Sequence, residues 1–152
     1  MDKQQLIAEL DKARQRLNEV LSHVDDKREI YPTWKLKQVL DHVAGWDDAV
    51  IASIQSHARG EVPAVTAPRG IDYYNAETVT TRESLPLSTT RMEFEATRLL
   101  LKELILNLPE DKYQECFIAP WGDPITVAQL VGIFVHHEIE HAREIEQILQ
   151  HA

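Results

Sequence analysis

The 152-residue sequence has a single cysteine, Cys116. A lone thiol closes no internal disulfide, so packing alone must hold the fold, and a reducing, cytoplasmic setting is expected. Cys116 stands beside Phe117 and Ile118 and is expected to be a small buried hydrophobe. There is no N-x-[Ser/Thr] acceptor. No apolar run approaches the ~18–20 residues that a membrane span requires. Met1 to Leu10 alternates charged and apolar residues without a small-residue cleavage site, so it reads as a helix start and not as an export signal. Basic residues are outnumbered, 16 Lys and Arg against 25 Asp and Glu, for a net charge of −9. Such a chain repels phosphate backbones and anionic lipid, and no local basic patch reverses this. Neither nucleic acid nor a membrane is an expected partner.

Apolar residues make up 43% of the chain and charged residues 27%, the balance of a folded protein. One domain over residues 1–152 is expected, large enough for a single core. Leu6, Ile7, Leu10, Leu17, Val20, Leu21 and Val24 recur at helical spacing and predict a first helix from Asp2 to about Val24. After the charged stretch Asp25–Pro32, Thr33 reads as the N-cap of a second helix, Trp34 to Ala58, with Gly60 at its C-terminus. A short helix is expected within Ile71–Glu83, capped by Asp72. A third long helix runs from Ser88 to Leu108, where Pro109 stops it. A fourth follows the cap residue Thr126 and reaches nearly the chain end. No segment combines strand alternation with hairpin chemistry. The expected fold is therefore all-α, a four-helix bundle with an additional short helix between the second and third long helices.

The last helix carries Phe134-Val135-His136-His137-Glu138-Ile139-Glu140-His141. On a wheel of about 100° per residue, Val127, Leu130, Val131, Phe134, Ile145 and Ile148 share an arc of about 100° with His137, Glu138 and His141, while His136 points away. Burying three polar side chains on an apolar face costs several kcal/mol unless something satisfies them. Imidazoles at i and i+4 stack one turn apart and can share one cation. Core histidines bonded to neighbours are the plainer alternative. A metal needs a third ligand, and His42, mid-helix beside Val39 and Trp46, can face the interior. His23, His57 and His151 lie at helix or chain ends.

His137 to His141 is also a literal H-E-x-x-H. The extended protease pattern would need Gly at Glu144 and His at Gln147, and the strands of such enzymes are missing. A di-iron carboxylate bundle needs a second E-x-x-H unit, but Val39 stands where that carboxylate belongs before His42. A metal-free protein with a polar cavity remains a further alternative.

Thr33-Trp34-Lys35-Leu36-Lys37-Gln38-Val39-Leu40-Asp41-His42-Val43-Ala44-Gly45-Trp46-Asp47 resembles the second-helix motif of the DinB-like superfamily, closest to its ClbS/DfsB branch. Ile71-Asp72-Tyr73-Tyr74-Asn75-Ala76-Glu77 is similar to that branch's middle segment. Pro120-Trp121-Gly122, Thr126-Val127-Ala128 and the His137/His141 pair complete a likeness over nearly the whole chain. The resemblance implies a bundle with a divalent metal, zinc or nickel, on His42, His137 and His141, a low-molecular-weight thiol as co-substrate, a small-molecule substrate and a homodimer.

Three imidazoles leave a metal position open for water or thiolate. Glu138 shares the inner arc and Asp47 the inner face of the second helix, which makes them the catalytic candidates, as proton acceptor and as ligand-orienting group. Trp46, Tyr74 and Trp121 are candidates to line a pocket, and each also suits plain core packing. The expected activity is a metal-dependent thiol transferase or hydrolase acting on a small electrophile. The alternative is a non-catalytic metal- or small-molecule-binding protein of stress protection.

Overall fold

The computed structural model describes residues 1–151. Four long helices dominate: α1 (Lys3–Leu21), α2 (Leu36–Ala58), α4 (Leu87–Asn107) and α6 (Val127–Gln150). Between them lie α3 (Ile71–Thr80), α5 (Glu110–Gln114) and a two-stranded antiparallel hairpin of β1 (Phe117–Ile118) and β2 (Pro124–Ile125). No helix among the described residues is long and apolar enough to cross a membrane.

The two outermost long helices start in capping boxes. Asp2 accepts from the Gln5 N–H at 2.8 Å while the Gln5 side chain accepts from the Asp2 N–H at 2.9 Å. Thr126 and Gln129 repeat the arrangement at the head of α6. Gly60, at φ 73°, ends α2 in the left-handed conformation that glycine adopts without strain.

Two apolar clusters reveal how the helices run. One joins Leu6 and Leu10 of α1 to Val50 and Ile54 of α2, Leu101 and Ile105 of α4, and Leu130 and Phe134 of α6. The other joins Leu17 and Leu21, Leu36 and Leu40, Phe94, and Ala142 and Ile145. The N-terminal halves of α1 and α6 thus meet the C-terminal halves of α2 and α4. α1 and α6 run one way, α2 and α4 the other. The closest packing is α1 along α6 and α2 along α4, with α3 laid on α2. Same-direction neighbours cannot be joined by a tight turn, which is why α2 and α4 are linked by the long segment holding α3. Each fully buried leucine in these clusters stabilises the bundle by about 1.5–3 kcal/mol.

Between the two clusters sits a polar layer. Arg14 falls between Ala13 and Leu17, Asp47 follows Trp46, Arg98 falls between Phe94 and Leu101, and Glu138 between Val135 and Ala142; all four are buried. The bundle is oily at both ends and charged at its waist.

Several local expectations are corrected. Thr33 is not a cap: it sits at φ 69°, inside a turn in which the Trp34 N–H donates to the Tyr31 carbonyl at 2.9 Å. α2 begins three residues later, where the Gln38 side chain accepts from the Lys35 N–H. Gly70, not Asp72, is the cap of α3, and Asp72 lies in its first turn. α1 ends at Leu21. The β1–β2 hairpin escaped the sequence reading because two-residue strands are too short to alternate. Cys116, just before β1, is exposed and not a core residue.

Candidate metal centre

His137 and His141 project one turn apart from α6, and His42 reaches them from α2. The three Nε2 atoms lie 3.1 Å (His42–His137), 3.2 Å (His42–His141) and 2.9 Å (His137–His141) apart. They form a group of three ligand atoms that can hold a metal ion. His42 is only 2% exposed, and the other two are half-buried. Burial, then the neighbouring imidazoles, pushes His42 down to about 2. Burial likewise takes His137 to about 4 and lowers His141. All three rings are neutral at pH 7, the state in which imidazole is a ligand.

The donor set fits a tetrahedral ion. Nitrogen ligands at about 2.0–2.1 Å from such an ion stand roughly 3.3 Å from one another. Mutual hydrogen bonding cannot satisfy the cluster, because a neutral imidazole has one N–H and three nitrogens meet at one point. A cation satisfies all three together. His42 Nδ1, on the far side of its ring, is buried without a hydrogen-bond partner.

Outside the nitrogens stand three side chains that the sequence reading did not single out for the site. The Tyr31 hydroxyl lies 2.7 Å from His141 Nδ1 and donates to Glu144 Oε1 at 2.8 Å. Burial, then Glu144, raises the Tyr31 pKa. Trp34 packs its ring 5.1 Å from that of His42. Glu144 had a legible signal, since it stands three residues after His141 and therefore on the same side of α6. Tyr31 had none, because it belongs to an irregular turn with no period, and Trp34 stood out only as part of the family-like segment from Thr33 to Asp47.

Glu138 points into the waist. Its carboxylate receives Arg14 Nε and Nη2 at 3.1 and 2.7 Å and Arg98 Nη1 and Nη2 at 3.1 and 2.7 Å. Three of these contacts converge on Oε1 and one, from Arg98 Nη1, reaches Oε2. Burial pushes the Glu138 pKa up, but Arg98 and Arg14 outweigh it and hold the group below the ordinary carboxylate range. Glu138, expected as a proton acceptor, is held as the ionised partner of two arginines. Asp47 completes the quartet with longer contacts to Arg98 (3.3 Å), Arg14 (3.5 Å) and the Thr97 hydroxyl (3.3 Å), and burial raises its pKa. It orients guanidinium groups and makes no hydrogen bond to an imidazole. Arg14 and Arg98 were missed, although each interrupts an apolar stripe as Glu138 does.

The aromatic candidates adjoin the histidines through Phe134, whose ring stands 5.9 Å from that of His137. Trp46 lies 5.4 Å from Phe134, Trp121 6.4 Å from Phe134, and Tyr74 4.4 Å from Trp46. Trp46 is buried and donates to the Asn75 side chain at 2.6 Å; Tyr74 donates to the Gly45 carbonyl at 2.9 Å. Trp46 and Tyr74 brace α3 against α2, and Tyr74 and Trp121 are both half-buried.

A family model for the DinB superfamily matches residues 9–145. The chain belongs to the DinB superfamily. Solved structures agree with this DinB fold. A mycothiol-dependent maleylpyruvate isomerase superposes with a TM-score of 0.79 at 14% identity, over 95% of this chain and 61% of that one. This DinB chain thus spans less than two thirds of the isomerase's length. An uncharacterised protein from Escherichia coli UTI89 gives 0.78 at 14% identity, over 99% and 94% of the two chains. A protein from Streptococcus pneumoniae gives 0.73 at 15% identity, over 97% and 90%. At these identities the likeness is one of fold. No curated protein matches the sequence.

Proposed function

We propose that this DinB-superfamily protein holds one divalent metal ion, zinc or nickel, on His42, His137 and His141, and transfers a low-molecular-weight thiol to a small electrophilic molecule or hydrolyses it. The convergence of three neutral imidazole Nε2 atoms within 3.2 Å carries this reading. The fold shared with a mycothiol-dependent isomerase supports the thiol. Placement in the ClbS/DfsB branch rests on the sequence segments quoted above.

A bound divalent ion would supply Lewis acidity and lower the pKa of a water or thiol brought to it. The chain's own residues do the rest. His42, His137 and His141 bind without adding charge, which leaves the ion its full double charge for anionic ligands. Phe134, beside His137, and Trp121, beyond it, offer apolar and π surface for the body of a small substrate. The Arg14–Glu138–Arg98–Asp47 quartet locks the register of α6 against α1, α2 and α4, and with it the spacing of the histidine pair.

Metal content tests this first. Purified protein is expected to hold close to one ion per chain, and His42→Ala to hold almost none. Saturating metal at about 100 times Kd adds about 2.7 kcal/mol of stability, worth roughly 5–11 °C in Tm for a chain of this size. A chelator should reverse that rise. Turnover of a generic electrophile with cellular thiols then decides between enzyme and binder: bound metal without turnover favours the non-catalytic alternative, and no stoichiometric metal sinks both metal readings.

A further inference from the structure

We infer that the turn Tyr31-Pro32-Thr33-Trp34 is a built outer shell of this site, and that Tyr31 is the positioning residue that sets His141 in its ligand tautomer. The inference rests on the metal reading above and concerns residues outside the histidine set. A phenol has one hydrogen to donate, and a carboxylate only accepts. With Glu144 Oε1 at 2.8 Å and His141 Nδ1 at 2.7 Å from the same hydroxyl oxygen, the hydrogen goes to Glu144. The oxygen then accepts from Nδ1–H. A neutral imidazole protonated at Nδ1 keeps its lone pair at Nε2, which is the atom facing His42 and His137. The chain Glu144–Tyr31–His141 thus selects the tautomer that binds metal and aims the ring.

The turn serves a second ligand as well. Trp34 packs on His42 with ring centres 5.1 Å apart, and Tyr31 meets His141 edge-on at 5.6 Å. Tyr31 and Trp34 brace each other at 6.1 Å and 89°. One four-residue turn therefore touches ligands from both α2 and α6. Its backbone is strained at Thr33, a β-branched residue at φ 69°. Strain of this kind persists where the surroundings over-determine it, and it gathers at functional sites. Here the Tyr31–Trp34 backbone bond and the Ile30 N–H to Trp34 carbonyl bond at 2.7 Å hold it.

The test is zinc affinity, read by competition with a chromophoric chelator, together with the visible absorption spectrum of the cobalt(II)-loaded protein. Tyr31→Phe should weaken zinc binding about 10–100-fold and shift the cobalt bands. Glu144→Ala, at a partly exposed position that does not threaten folding, frees the Tyr31 hydrogen to turn toward Nδ1 and should weaken zinc binding about 10-fold, the low end of the range for an outer-shell partner. Thr33→Gly relaxes the turn without removing either aromatic and should bind zinc as the wild type does. Wild-type affinity and spectrum in Tyr31→Phe, or wild-type affinity in Glu144→Ala should Tyr31→Phe not fold, would overturn the inference and leave the metal reading intact. A wild-type protein that takes up no zinc overturns both.

Discussion

His42 Nε2 and His137 Nε2 stand 3.1 Å apart although 95 positions separate them in the chain. The contact exists because α2 and α6 run in opposite directions and bring the N-terminal third of α2 level with the middle of α6. At that waist two kinds of polar group meet. One is neutral and convergent, the histidine set. The other is ionic and self-satisfied, the Arg14–Glu138–Arg98–Asp47 quartet.

The quartet yields a prediction that separates anchoring from catalysis. Glu138→Ala leaves two buried guanidinium groups without their main partner, a loss of about 3–5 kcal/mol. For a chain of this length that is roughly a 6–20 °C fall in Tm. Replacing Glu138 and Arg98 together by apolar residues of similar volume should cost less than the sum of the single changes, because no charge then stands alone. Thermal unfolding of the four-member cycle checks this. Additive losses, or a Glu138→Ala protein as stable as wild type but inactive, would restore Glu138 as a proton-transfer group.

Gly45 makes a second prediction. A Cβ at this position would lie 2.5 Å from Thr78 Cγ2 and 2.6 Å from Thr78 Cβ, so α2 and α3 touch through the missing side chain. In an exposed helix, Gly→Ala gains up to about 1 kcal/mol. Here the overlap reverses the sign, and Gly45→Ala should cost about 1–3 kcal/mol. Amide exchange should show the loss first in α3, which packs mainly on α2. Increased stability would show that α3 shifts aside at no cost.

Acid should loosen the metal-free protein early. An unfolded imidazole titrates near about 6.5, whereas His42 is pushed down to about 2 and His137 to about 4. Below about 6.5 the unfolded chain binds protons that the native chain refuses, so this stability is full above that pH and declines as pH falls toward about 4. Glu138, held low by Arg98 and Arg14, adds a loss in the same direction below the ordinary carboxylate range. Tm measured between pH 8 and pH 4 should fall steadily from about 6.5 downward. A flat profile would mean that the histidines are not buried neutral.

Much of this architecture was legible because it repeats. Leu6, Leu10 and Leu17, or Leu130 and Phe134, advertise a helix face through their spacing, and Asp2 and Thr126 advertise where helices start. His137 and His141 stood out because polar groups on an apolar stripe need a reason. The same reasoning reaches Arg14 and Arg98, which were overlooked because Glu138 was read as a base and not as half of an ion pair. Tyr31 and Trp34 were beyond it. Their turn contains a non-glycine residue at positive φ, a conformation that local preference argues against and that only surrounding contacts enforce.

Taken alone, the order of residues determined the helices, their buried faces and the pair of imidazoles on the last helix, since all three depend on neighbours within a turn or two. Tertiary structure alone decided that α1 runs with α6 and against α2, that Glu138 meets two arginines, and that a tyrosine from a loop stands behind His141. Those contacts join residues 40 to 124 positions apart. At such separations no local energy term links the partners, and only the packing of the whole bundle brings them together.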